Sequence, residues 1–171
     1  SLRVALWCML VVLPPAIATA WLLSRTEFWG KSAVDAIVHL PLVMPPVVTG
    51  YMLLLLLGRR GIVGAWLESR FGIVLAFRWT GAVVASAVMA FPLAVRAVRI
   101  AIDAVDPAME RSARSLGAGR IRTFLWVTLP LALPGVIAGA VLAFAKSLGE
   151  FGATITFVSN IPGETQTLPL A

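Results

Sequence analysis

The residues able to do chemistry are few. Cys8 is the single cysteine and His39 the single histidine, which rules out an intrachain disulfide and a multi-histidine metal site; Cys8, inside an apolar run, reads as a small hydrophobe. No Ser-His-Asp, HExxH, CxxC or GxxxxGK[ST] pattern occurs. These residues supply no catalytic constellation, imply no cofactor or metal, and cannot hydrolyse ATP by themselves. What remains is suited to binding and bending. Glu150 stands near the end of an apolar run, with Lys146 one helical turn earlier and Gly149 and Gly152 beside it. An ionisable residue in that position is a functional suspect, and a plain interfacial Lys146–Glu150 salt bridge is the alternative. Hydroxyls at Thr49 and Thr128 lie inside apolar runs, and those of Ser147 and Thr154 flank Glu150.

The elements that position these groups follow from composition. Of 171 residues, 60% are hydrophobic and 13% charged, about half the charge of a soluble domain. The apolar residues come in charge-free runs over 4–23, 36–58, 79–95 and 123–145. A helix needs about 20 apolar residues to cross the roughly 30 Å bilayer core. The reading is an all-α, polytopic transmembrane bundle forming one domain over residues 1–171, with spans at about 4–23, 38–57, 79–96 and 123–145. Residues 151–163 are uncharged but too short and too rich in Gly, Asn and Pro to span. Arg3 and Ala18-Thr19-Ala20 also suit a signal peptide, but the run is longer than a signal core and three more spans follow. Both ends read as cuts through a longer protein.

The net charge of +6 raises nucleic acid as a partner, and the arrangement rejects it. The arginines sit beside spans, where they set topology and meet anionic lipid, and no basic stripe with interleaved aromatics occurs. The linker over 97–122, with flanking Arg96, holds Arg99, Arg111, Arg114, Arg120 and Arg122, so the positive-inside rule makes it cytoplasmic. With Arg25 and Lys31 the inner side carries eight of the fourteen basic residues; Arg3, Arg59, Arg60, Arg70, Arg78 and Lys146 fall outside. The charge lean is modest.

Inside that linker Asp106-Pro107 is a helix start, an N-cap acid followed by proline at the first position, and Gly117 and Gly119 are stops. About ten residues, roughly 15 Å, lie between. Met109, Ser112, Ala113 and Leu116 fall on one side; Glu110, Arg111 and Arg114 lie around the rest. A helix lying on the membrane surface is the other reading, but the face is too rich in alanine and serine to hold lipid well. Pro45-Pro46 with Gly50 interrupts the second run, and Pro130 and Pro134-Gly135 the fourth. Interior prolines free carbonyls that lipid tolerates only against protein or a polar cavity. Gly135, Gly139 and Ala143 form a small-residue stripe fit for close helix approach.

The stretch Ala113-Arg114-Ser115-Leu116-Gly117, followed after nine residues by Val127-Thr128-Leu129-Pro130, resembles the loop signature of binding-protein-dependent ABC importer permeases: Glu-Ala-Ala, three residues, Gly, nine residues, Ile, any residue, Leu-Pro. Arg111 and Ser112 depart from it at the first two positions, and an acid stands one place earlier at Glu110. A wider match, through His39-Leu40-Pro41-Leu42-Val43, Pro45-Pro46-Val47-Val48, Gly50-Tyr51, Ser147-Leu148-Gly149-Glu150-Phe151-Gly152-Ala153-Thr154 and Ser159-Asn160-Ile161-Pro162-Gly163-Glu164-Thr165, is similar to molybdate importer permeases over nearly the whole chain. Sulfate importer permeases resemble it around Gly149-Glu150 and in the linker.

The resemblance implies a non-enzymatic transport subunit of the small ABC importer permease type in a bacterial or archaeal inner membrane. It implies a homodimer, a cytoplasmic ATPase subunit, an extracytoplasmic molybdate-binding protein, surrounding membrane lipid, and at least one further C-terminal span. The short helix then becomes a coupling helix docked on the ATPase through Glu110, Ala113, Arg114, Gly117, Leu129 and Pro130, with Arg114 or Glu110 pairing at the rim of the ATPase groove. The translocation path or gate falls to Thr49, Ser147, Gly149, Glu150, Gly152 and Thr154. Neutral donors suit a tetrahedral dianion that must be released again, and Glu150 suits a gate anchor better than an anion ligand. A sulfate or thiosulfate importer, and an ATP-independent anion transporter, remain the alternatives; molybdate and tungstate are not separable by sequence.

Overall fold

In a computed structural model of the chain, residues 1–160 are described, and every regular element among them is helical. In chain order these are α1 (Leu2–Arg25), α2 (Lys31–Val43), α3 (Pro46–Leu57), α4 (Ile62–Phe71), α5 (Trp79–Asp103), α6 (Pro107–Ser115), α7 (Arg120–Thr123), α8 (Leu129–Leu131), α9 (Leu133–Leu148) and α10 (Gly152–Val158). One π-helical turn, Phe124–Thr128, joins α7 to α8. The tail of the Ser-Asn-Ile-Pro-Gly-Glu-Thr run, residues 161–165, lies outside the described residues.

Helices α1, α5 and α9 form the central body. Buried Val4, Cys8, Val12, Ala16, Ala20 and Leu23 recur every three or four residues and make one seam of α1, much of it small enough for close helix contact. α1 and α5 run parallel. At one end the Arg3 guanidinium lies 4.2 Å from the centre of the Trp79 ring, and at the other Arg25 bonds the carbonyls of Ile102 and Val105. α9 runs antiparallel to both. Its Gly135 backs onto Ala97 and Ala101, and its Gly139 onto Ala94 and Val98, so the stripe expected to allow close approach is the α5-facing side of α9. Within the most apolar stretch of each helix 67% of α5 is buried against 28% of α1, which makes α5 the central strut.

Among the described residues two helices, α1 and α5, are each long and apolar enough to cross a bilayer; the other two runs reach that length only as bent pairs. α2 and α3 meet at 115°. Met44 and Pro45 each precede a proline, which disfavours helical backbone, and here both are extended, with ψ of 143° and 134°. The run expected to span as one piece over 38–57 is therefore two helices. Residues 120–131 and α9 meet at 72°. There Pro130 offers no amide to the carbonyl four residues back, and the Leu129 amide reaches five residues back to Phe124, giving the π turn. α5 continues to Asp103, past the expected span end at 96, so Arg96 and Arg99 are helical rather than part of a loop. The segment between the second and third expected spans contains α4, which opens after Gly61 and ends at Gly72 with φ of 64°.

The remaining layer is α3 with α10. A Cβ on Gly50 would lie 2.6 Å from the Ala153 carbonyl, and one on Gly152 would lie 2.7 Å from Pro46 Cβ. Phe157 of α10 is fully buried and reaches Gly81 at the start of α5.

Candidate functional site

α6 sits apart from the central body. Its start is as the sequence dictates: the Asp106 carboxylate accepts from the Ala108 amide at 2.8 Å, with Pro107 next. Its end is a turn in which Gly117 takes φ of 89°, a left-handed conformation that glycine adopts without steric cost. Between these stops one side chain is buried, that of Glu110. Met109 (53%) and Leu116 (89%) are open, so among the described residues nothing covers these two members of the Met109, Ser112, Ala113 and Leu116 face. Beside it Ala113, Ala118, Arg122, Thr123, Trp126 and Val127 line an open cavity of about 440 Å³.

The buried Glu110 is held from two sides. Its Oε1 accepts from Arg25 Nε at 2.9 Å and from the Thr128 hydroxyl at 2.7 Å; its Oε2 faces Arg114 Nη2 at 3.8 Å. Arg25 spends Nη2 on the Ile102 and Val105 carbonyls at 2.8 and 3.0 Å, at the C-terminal end of α5 where a cation is favoured. One turn further into the bundle Arg99 Nη1 lies 2.7 Å from Asp35 Oδ1 and Arg99 Nε 3.8 Å from Asp103. This ties α2 to α5.

The second cluster forms between α9 and α10. Glu150 is 2% exposed. Its Oε1 accepts from the Ala153 amide at 3.0 Å, and Lys146 Nζ lies 2.8 Å from Oε2 as an ion pair rather than an aligned hydrogen bond. Thr154 donates to the carbonyls of Glu150 and Phe151 at 3.1 and 2.9 Å. Thr49 points back to the Pro45 carbonyl at 3.5 Å. Ser147 is buried beside the Cys8 thiol, and its hydroxyl makes no hydrogen bond of ordinary geometry.

The chain as a whole matches a known family. Residues 14–171 match the binding-protein-dependent transport system inner membrane component. The chain belongs to this family. It is 61% identical over its whole length to the molybdenum transport system permease protein ModB of Escherichia coli (strain K12), covering 75% of that protein. It is 58% identical, with the same coverage, to ModB of Haemophilus influenzae. To the sulfate transport system permease protein CysT of E. coli it is 38% identical over 151 residues, covering 88% of this chain and 54% of that one.

In this permease the residues singled out by sequence divide into two groups. Ala113 is half-buried at the cavity, Arg114 has 46% of its side chain exposed, Gly117 forms the stop, Leu129 is half-buried and Pro130 exposed. Glu110 differs. Sequence reading offers it as a rim contact for a partner, and the structure turns it inward, where Arg25 and Thr128 occupy its Oε1. Thr128 differs likewise: grouped by sequence with the path hydroxyls, it belongs to the α6 anchor 18 residues from the acid it serves. Thr49, Ser147, Glu150 and Thr154 are buried near the α3–α10 contact or the end of α9, and Gly152 allows that contact. Gly149, with φ of −92° and no atom nearer its Cβ position than Ala145 O at 3.8 Å, has no steric need to be glycine. Sequence reasoning missed Arg25 and the Asp35–Arg99 pair. A lone arginine closing a long apolar helix is a visible signal, but its partners lie 77 to 85 residues away.

Proposed function

We propose that this chain is the membrane-spanning subunit of an ATP-driven molybdate importer, working as a homodimer with a cytoplasmic ATPase subunit and an extracytoplasmic binding protein. The observation that carries the reading is α6: a short helix outside the three-helix body, its Met109–Leu116 face open and its single buried side chain anchored to that body. Such a helix suits a partner's groove, and an ATPase driven by nucleotide is the partner that family membership favours. The identity to ModB proteins over the full chain supports molybdate as cargo over sulfate, whose permease is more distant.

The arginine-rich linker supports a cytoplasmic position for α6. α9 then leads outward, and Glu150 with Gly152, Thr154, Thr49 and Ser147 stands toward the outer side as the gate region. Glu150 serves there as an anchor and not as an anion ligand, since its carboxylate is already engaged by Lys146 and the Ala153 amide and would repel a dianion. Oxyanions pass such a region best along neutral donors, and tungstate, of like size and charge, passes by the same route.

The test is uptake of labelled molybdate by membranes carrying the full-length protein with its ATPase and binding protein, competed with excess sulfate. ATP-dependent uptake that sulfate barely dents is the expected result. Uptake erased by sulfate keeps the importer and changes the cargo. Uptake indifferent to ATP removes the importer reading.

A further inference from the structure

We infer that Arg25, a residue outside the loop signature, is the positioning residue that ties movement of α6 to the α1–α5–α9 body. The inference rests on the importer reading above and names a part of its transmission.

α6 has little else to pull on. Its covalent links are short: residues 104–106 before it, and after it a turn containing Gly117 and Gly119. A glycine turn hinges more readily than it pushes. None of its apolar side chains is buried, so hydrophobic packing does not fix its position. The fixed point is Glu110. Its acid stands one residue before the family's glutamate position, and one residue is a rotation of about 100° around a helix. The present position faces the carboxylate into the body. With side-chain exposures of 15% for Arg25 and 6% for Glu110, the pair is shielded from water and salt, unlike a surface pair.

Arg25 suits the junction by its shape. A guanidinium presents a planar fork of donors, whereas lysine presents one compact nitrogen. Here Nε serves Glu110 while Nη2 serves Ile102 and Val105, so one side chain joins α6 to the ends of both α1 and α5. Thr128 adds the third connection, from the π turn that leads toward α9. α1 packs along α5 and α5 along α9, and a displacement of α6 delivered at Arg25 therefore reaches the body as a unit.

The experiment uses vesicles holding the full-length protein, its ATPase and its binding protein, with molybdate uptake and ATP hydrolysis measured on the same preparation. Arg25→Gln is expected to retain the ATPase on purification and hydrolyse ATP while molybdate moved per ATP falls about thirtyfold, the middle of the range for a coupling energy. Arg25→Lys keeps the charge and loses the fork, and is expected to fall by about threefold. A purely structural role would lower the amount of complex and leave the ratio alone. If Arg25→Gln does not assemble, Arg25→Lys decides. A wild-type ratio in an assembled Arg25→Lys complex, or in Arg25→Gln where that assembles, overturns the proposal while leaving ATP-dependent uptake in place. Wild-type uptake that ignores ATP overturns the importer reading and this inference with it.

Discussion

Substitution of Gly135 by alanine tests the central packing directly. A Cβ there would overlap Ala101 Cβ and come within 2.9 Å of the Ala97 carbonyl. Both obstacles belong to α5, and the carbonyl is backbone, so neither can rotate away and the helices must part. Overpacking of this kind costs about 1–3 kcal/mol. Against it stands the helix-propensity gain of alanine over glycine, at most about 1 kcal/mol, so the net loss is about 0–2 kcal/mol, and the overlap of two fixed Cβ atoms puts it at the upper end. Two further sites grade the effect. At Gly139 the nearest α5 atoms would lie 3.3 Å away, a squeeze small enough for the propensity gain to offset, and Gly139→Ala should be near neutral. At Gly149 only Ala145 O lies within 4 Å, at 3.8 Å, and Gly149→Ala should be silent. The assay is reversible unfolding in mixed detergent micelles, read as the shift in midpoint against wild type. A Gly135→Ala protein as stable as wild type, or a Gly149→Ala protein equally damaged, refutes the α5–α9 contact as described.

Three other outcomes follow from the same geometry. Glu110→Ala leaves Arg25 buried beside an empty place, a loss of about 3–5 kcal/mol for broken buried pairs; trypsin should then cut at Arg111 and Arg114 faster than in wild type, and equal rates would contradict the anchor. Gly117→Val forces a β-branched residue to φ of 89° at a cost of about 1–2 kcal/mol; it should depress ATP-dependent uptake with the chain still folded, and full uptake would detach the α6 turn from function. Glu150→Gln removes the Lys146 ion pair while leaving an oxygen for the Ala153 amide; it should alter uptake without lowering expression, and uptake, folding and expression all unchanged would end the gate assignment.

Elements governed by local chemistry were legible in the sequence. α6 begins and ends where Asp106-Pro107 and Gly117 place it, because an N-cap acid and a left-handed glycine act within a few residues. The apolar runs gave the helical class, and the stripe at Gly135, Gly139 and Ala143 anticipated a tight contact without naming α5 as the partner. The break at Met44-Pro45 was visible as a proline pair, but its 115° bend was not, since prolines weaken helical backbone without setting a new direction. α4 and α10 went unread as helices. α4 carries no apolar run, and α10 has only seven residues and takes its place from Gly50 and Pro46 more than from its own sequence. At the site, Glu110 was picked out but its direction was lost. Whether an acid on a short helix faces solvent or a buried arginine depends on where the end of α1 comes to rest, which no local spacing contains.

That anchoring choice has a physical logic. An apolar patch on α6 would hold it to the body more simply, because a buried ion pair often gains little over well-packed hydrophobes once desolvation is counted. On the coupling role proposed for α6, a short helix that receives a partner on one face cannot be apolar on the other without the two faces becoming interchangeable. Glu110 removes the ambiguity: only one rotation of α6 brings the carboxylate to both Arg25 and Thr128, and any other leaves a charge uncompensated next to the carbonyls of Ile102 and Val105. The same rotation leaves Met109 and Leu116 open. The pair thus supplies direction more than stability, and its worth should be sought in the ratio of transport to hydrolysis before it is sought in a melting curve.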